Sequence, residues 1–420
     1  MNVKTYKNLG ETLYTDILPN GLTVYYLPKP DYHKTFGLFT TNFGSLDTRF
    51  GTPLTTYPEG IAHFLEHKLF EKADGDVMYK FGSLGAQTNA FTSFNRTAYL
   101  FYTAERAKDN ITLLLDFVQT PYFTEENVAK EQGIITQEIQ MYQDDPDWRL
   151  YAGLLASLYP DSPLAADIAG TPSSIHAITP SMLYENHLAF YQPANMNLFL
   201  TGPFDVSDMS ALVRENQATK DFSKLPPLPK RASFAPAPAV PEAQETLDVA
   251  QPKVALGIRG TETIKNPYRF RLSLQLFTAL TFGATSDWYE THYHAGDIDD
   301  SFSTEFEMDG AGRFHCLIFS ADTDNPEHFI HILQERLKNY TIDEDALALI
   351  KKQMLGRHLA SLNSLEFIAN EFAAMPLGAK ETLFDLPDIL QSLSATDIQQ
   401  ISENFLKTAQ ESIYTITPKD

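Results

Sequence analysis

His63, Glu66 and His67, within Gly60-Ile-Ala-His-Phe-Leu-Glu-His, are the residues of this chain whose types and spacing most directly imply chemistry. Residues four apart on a helix nearly complete a turn, so the two imidazoles project from one face. That spacing lets two ring nitrogens bind one tetrahedral zinc. Glu66 follows His63 by three positions, shares the face, and is placed to take a proton from a water at the metal. A hydrolytic zinc site of this kind needs a third protein ligand and leaves its fourth position open. The chemistry implied is metal-assisted hydrolysis.

A second helix offers the missing ligand. Thr124-Glu125-Glu126 reads as a helix start, a capping hydroxyl followed by acids in the first turn, and the helix should stop before Pro146. Glu131 and Glu138 lie seven residues apart, two turns along one face. Two acids so spaced are also what a solvated amphipathic face carries, but beside the histidine motif Glu138 is favoured as a ligand. Between the two helices, Gly85–Ser93 and Thr97–Tyr102 read as two strands turning at Phe94-Asn95-Arg96.

The order His-x-x-Glu-His is the signature of the inverzincins. With the Glu-(six residues)-Glu helix downstream, the chain resembles the pitrilysin, insulinase and mitochondrial processing peptidase family of zinc metallopeptidases. The resemblance extends over nearly the whole chain, through Tyr159–Pro163, Ile168–Thr171 and Phe190–Gly202. It is strongest to bacterial members that occur as paired subunits, on the side of the zinc-bearing subunit. It implies one Zn2+ per chain held by His63, His67 and Glu138, with Glu66 as general base and Glu131 orienting a ligand imidazole. It also implies that Asn89, Ala90, Phe91 and Thr92 form a sheet edge beside the metal, where a peptide substrate adds as an extra strand. The interval from His67 to Glu138 is a few residues shorter than is usual in the family.

Composition and charge narrow the alternatives. The net charge of −22 argues against nucleic acid, because phosphate contacts need clustered Lys and Arg. If the acids line a substrate chamber, basic peptides should be preferred. No apolar run approaches the length of a membrane helix, and no apolar stretch after the first residues resembles a secretory signal. A single cysteine, Cys316, excludes an intrachain disulfide framework, and its apolar neighbours suggest a buried strand thiol. A cytoplasmic location is the expectation.

A proline-rich stretch, Pro226 to Pro241, should be extended and semi-rigid. It suggests a zinc-binding domain over 1–225, a linker over 226–244, and a second domain without metal over 245–420. The two parts end alike: Phe190 to Pro203 and Phe405 to Pro418 each fit a helix end, a short loop and a terminal strand. The family resemblance implies an α+β fold of two homologous halves, each a mostly antiparallel sheet with helices packed on one face.

In the second half, many active family members carry an Arg and a Tyr that donate to the carbonyl oxygen as charge develops on it. Here the corresponding stretch, Trp288 to Phe302, has His292 where Arg would fall and Asp299 or a neighbour at the Tyr position. The departure implies a same-fold partner subunit, lacking the zinc motif, that supplies the donor pair. A self-sufficient homodimer and a non-catalytic scaffold are the alternatives. His292 and His294, taken as alternate residues of one strand, also offer a second metal site with Asp297 or Asp299, against a plain role as surface or interface histidines.

Overall fold

The computed structural model describes residues 1–232, 235–309, 313–375 and 381–419. The chain groups into two compact units, and the grouping is not contiguous. Residues 1–140, 167–234 and 361–384 form the first; residues 141–166, 235–360 and 385–420 form the second.

The first unit is built on a seven-stranded sheet. Its strands are β1 (Asn2–Tyr6), β2 (Glu11–Ile17), β3 (Thr23–Pro28), β4 (Thr35–Thr41), β5 (Ala86–Thr92), β6 (Thr97–Thr103) and β7 (Met196–Gly202). The order across the sheet is β1-β2-β3-β7-β4-β6-β5, with β3 and β7 parallel and every other pair antiparallel. The central strands are apolar at successive positions because both faces are covered. Val24, Tyr26, Phe39, Tyr99, Phe101, Leu198 and Leu200 point into the main core. There they meet helices that include α1 (Ile61–Leu69) and α2 (Glu125–Gln143). The alternate residues, Tyr25, Leu27, Phe36, Leu38, Leu100 and Phe199, form a second layer on the opposite face.

The second unit repeats this plan on five strands: β8 (Glu242–Leu247), β9 (Lys253–Arg259), β10 (Ser303–Met308), β11 (His315–Asp322) and β12 (Gln410–Pro418). Their order, β8-β12-β9-β11-β10, has one parallel pair, β8 with β12, and is otherwise antiparallel. Strand for strand this matches β3-β7-β4-β6-β5, in order and in direction. The two halves are homologous, as the matching ends of the sequence implied. Cys316 is fully buried on β11, and burial pushes its thiol well above the usual range.

Each sheet takes its second layer from the other side of the proline-rich stretch. Helix α3 (Pro146–Leu158) lies on the five-stranded sheet, so close that a Cβ on Gly153 would sit 2.2 Å from the Tyr414 ring. Helix α4 (Leu365–Ala374) covers the seven-stranded sheet with Leu365, Ile368, Ala369 and Phe372. No regular element is formed by residues 226–232 and 235–241 beyond a bridge between Arg231 and Phe50, and β8 begins at Glu242. Among the described residues no helix is long and apolar enough to cross a membrane.

Candidate metal centre

Helix α1 carries two faces by design of its sequence. Ile61, Phe64, Leu65 and Leu69 recur at helical spacing and enter the core, which turns His63, Glu66 and His67 toward α2. The helix starts at Gly60, whose φ of 83° is left-handed and whose missing Cβ would fall 2.4 Å from the Ala169 carbonyl. A side chain at that position would both strain the backbone and push the helix off its seat. Helix α2 is started as the sequence predicts, with Thr124 Oγ1 accepting from the Asn127 N–H and Asn127 Oδ1 accepting from the Thr124 N–H.

The two helices bring His63, His67 and Glu138 together, their ligand atoms all within 4.8 Å of one another. His63 Nε2 lies 3.6 Å from Glu138 Oε1, and His67 Nε2 lies 3.6 Å from Glu138 Oε2. Ligands about 2.1 Å from a tetrahedral zinc stand about 3.3–3.5 Å apart, so the donor set has the spacing zinc requires. Among the described residues this is the one cluster of three or more such groups that close together.

The surroundings tune each group. Burial is the main influence on His63 and lowers its pKa to about 3, leaving a neutral imidazole of the kind a metal needs. Its Nδ1 is buried without a hydrogen-bond partner. Burial alone would also lower His67, but Glu131, Glu66 and Glu138 outweigh it and raise the pKa. Glu131 Oε1 meets His67 Nδ1 at 3.1 Å, which leaves Nε2 to face Glu138. Burial pushes Glu131 upward, yet His67 and Lys68 together hold it below the usual carboxylate range. Glu66 is 7% exposed, and burial lifts its carboxyl to about 7.

The hairpin adds a contact that the sequence did not announce. Strands β5 and β6 pair as expected, with Thr92 opposite Thr97, and β5 is the sheet edge. Thr92, expected only as part of a main-chain docking strand, donates its hydroxyl to Glu66 Oε2 at 3.0 Å. Asn89, Ala90 and Phe91 continue along β5; Asn89 Oδ1 accepts from the Ala90 N–H, and the Arg96 guanidinium lies over the Phe91 ring. Lys68, next to His67, is also part of the cluster and was not singled out by its sequence context. Its Nζ donates to Glu131 and Glu71. The available signal was a charged residue in an otherwise apolar helix stripe, with an acid three positions on.

The strand placement considered for His292 and His294 does not hold. Both lie on a helix, Asp287–Ala295, where positions two apart point to different sides. His292 Nδ1 pairs with Asp297 at 2.7 Å, and the other Asp297 oxygen meets His328 Nε2 at 3.0 Å, whereas the His294 side chain is 76% exposed. The hydrogen bond from His292, followed by that from His328, outweighs burial and lowers the Asp297 pKa.

Comparison with known proteins converges on one family. The sequence pattern of insulinase (peptidase family M16) matches residues 55–172, and that of the peptidase M16 inactive domain matches residues 177–354. An uncharacterized zinc protease of Bacillus subtilis (strain 168), YmfH, is 40% identical over 429 residues, 99% of this chain and 98% of that protein. The crystal structure of an M16-like peptidase from Alicyclobacillus acidocaldarius is 32% identical and superposes with a TM-score of 0.91, covering 97% of this chain and 99% of the other. A protease from Helicobacter pylori, at 20% identity and a TM-score of 0.78, shares the fold over 97% of this chain and 99% of its own.

Proposed function

Because this chain belongs to the M16 insulinase family and is a zinc protease, we propose that it is an endopeptidase subunit acting on extended peptides. In this reading His63, His67 and Glu138 hold one zinc per chain. The observation that carries it is the convergence of these three ligands, at zinc spacing, beside a buried carboxylate on the same helix. Zinc bound there supplies Lewis acidity and makes water nucleophilic near neutral pH.

The chain's own groups do the rest. Glu66 accepts the proton of the attacking water and returns it to the leaving amine. Burial favours that role, since a carboxyl lifted toward neutrality both takes and gives a proton readily. Thr92 fixes the carboxylate by its hydroxyl, and Glu131 fixes the His67 ring through Nδ1. Strand β5, with Asn89, Ala90, Phe91 and Thr92 on the sheet edge, receives substrate by main-chain hydrogen bonds. Recognition of that kind tolerates many sequences. The partner is a same-fold subunit lacking zinc ligands, which supplies the Arg and Tyr donors where this chain has His292 and Asp299 or a neighbour.

Glu66→Gln should retain zinc and lose turnover by at least about 1,000-fold, whereas His67→Ala should lose both zinc and turnover. Metal content by elemental analysis and peptide cleavage by mass spectrometry measure the two. Unchanged turnover in Glu66→Gln would remove the general-base role. What co-purifies with tagged Glu66→Gln tests the pairing. A chain of similar size with an Arg/Tyr segment and no inverted motif supports it, and recovery of this chain alone overturns it.

A further inference from the structure

We infer that Lys68 is a positioning residue of the metal centre, acting on His67 through Glu131. Lys68 immediately follows a proposed zinc ligand, and its side chain is 0% exposed. A fully buried ammonium is costly unless carboxylates surround it. Lys68 Nζ donates to Glu131 Oε2 at 3.1 Å and to Glu71 Oε2 at 2.5 Å. The second oxygen of Glu131 is taken by His67 Nδ1 at 3.1 Å.

Both oxygens of one carboxylate are therefore held by two consecutive residues of α1. With only the His67 contact, the Glu131 carboxylate could rotate about its terminal bond and let the imidazole turn with it. The Lys68 contact fixes the plane of the carboxylate, and hence the direction in which His67 Nε2 points. Glu71, just past the end of α1, also holds the ammonium. The run Glu71–Lys68–Glu131–His67 alternates acid and donor, so the buried ammonium and both oxygens of Glu131 are held by protein groups. A residue serving only to fill the core would be apolar at this position, as Phe64, Leu65 and Leu69 are.

This rests on His63, His67 and Glu138 being the zinc ligands, and the experiment separates the two claims. Zinc affinity of the full-length protein is measured by competition with a chelating dye for the parent, Lys68→Met, Glu131→Gln, the double variant and His67→Ala. Circular dichroism confirms that each is folded. Met keeps the length of the lysine stem without its charge. Lys68→Met should weaken zinc by about 10- to 100-fold and shift the visible absorption of the cobalt-substituted protein. In the Glu131→Gln background it should add less than about twofold, because the residue it acts through is already changed.

If the losses from Lys68→Met and Glu131→Gln multiply, Lys68 acts elsewhere than through Glu131 and the inference fails. It fails equally if Lys68→Met binds zinc as the parent does while His67→Ala does not. The double variant guards against a misfolded single one, since removing both charges leaves no unpaired ion buried. If His67→Ala itself keeps zinc, the ligand assignment falls, and the inference with it.

Discussion

Thr92 shows how one hydroxyl can link two functions that its sequence context presents as one. It lies on the edge strand proposed to receive substrate, but its side chain is spent on Glu66 Oε2 at 3.0 Å. A hydrogen bond to a buried carboxylate both lowers the cost of its charge and restricts its rotamers. Thr92→Val preserves shape and strand preference while removing the donor. It should lower kcat by about tenfold with KM within about twofold, since the loss falls on proton transfer rather than on substrate docking. Zinc content should not change. A variant whose KM rises while kcat holds would assign Thr92 to the docking strand instead.

At the scale of elements, the candidate metal centre was legible because its signals are local. The spacing of His63, Glu66 and His67 and the interval from Glu131 to Glu138 follow from helical geometry, and α2 starts where its Thr124 cap places it. The hairpin is equally local, turning between Thr92 and Thr97. Groups that meet across elements left no such mark. Lys68 reaches Glu131 across 63 positions, and Thr92 reaches Glu66 across 26. The alternation of His292 and His294 suits a strand, yet Ser286, whose hydroxyl accepts from the Tyr289 N–H, caps a helix there. Two helices in the first unit also dock by a contact of this kind. His187, on the helix Pro180–Phe190, bonds through Nε2 to the Val118 carbonyl near the end of the helix Ala107–Gln119, at 2.9 Å. Burial lowers its pKa from 6.5 to about 4, so the unfolded chain binds the proton more readily than the folded one. Stability from this group is fully present above about pH 6.5 and is lost as pH falls toward 4, up to about 3 kcal/mol. His187→Gln keeps a donor without the titration. In zinc-free protein, the urea-measured difference between parent and variant should move by that amount between pH 7 and pH 4. A difference independent of pH would show that His187 binds its proton equally well in the folded and unfolded states.

For the molecule as a whole, the proline-rich stretch marks where the sequence repeats, while the spatial units cross it in both directions. A linker is visible as composition, but which helix covers which sheet depends on faces that only the assembled strands define. Helix α3 precedes the linker and packs on the five-stranded sheet that follows it; α4 follows the linker and packs on the seven-stranded sheet that precedes it. Each sequence half cut at the linker therefore carries one helix without its sheet and one sheet without its second layer. In residues 1–232 expressed alone, Tyr25, Leu27, Phe36, Leu38, Leu100 and Phe199 would face water together with Leu154 and Leu158 of α3. Exposed together, these side chains form the kind of contiguous apolar patch that soluble monomers keep small. Residues 1–232 and 235–420 produced separately should aggregate or bind a hydrophobic dye, with no cooperative unfolding transition. Produced in one cell, the two pieces should recover a soluble 1:1 complex, because each supplies the layer the other lacks. Zinc binding should return with it, since the proposed ligands lie on helices packed against the sheet that α4 restores. A soluble, monomeric and cooperatively folding fragment 1–232 would mean that the second layer contributes little, and that the linker alone divides this chain into independent domains.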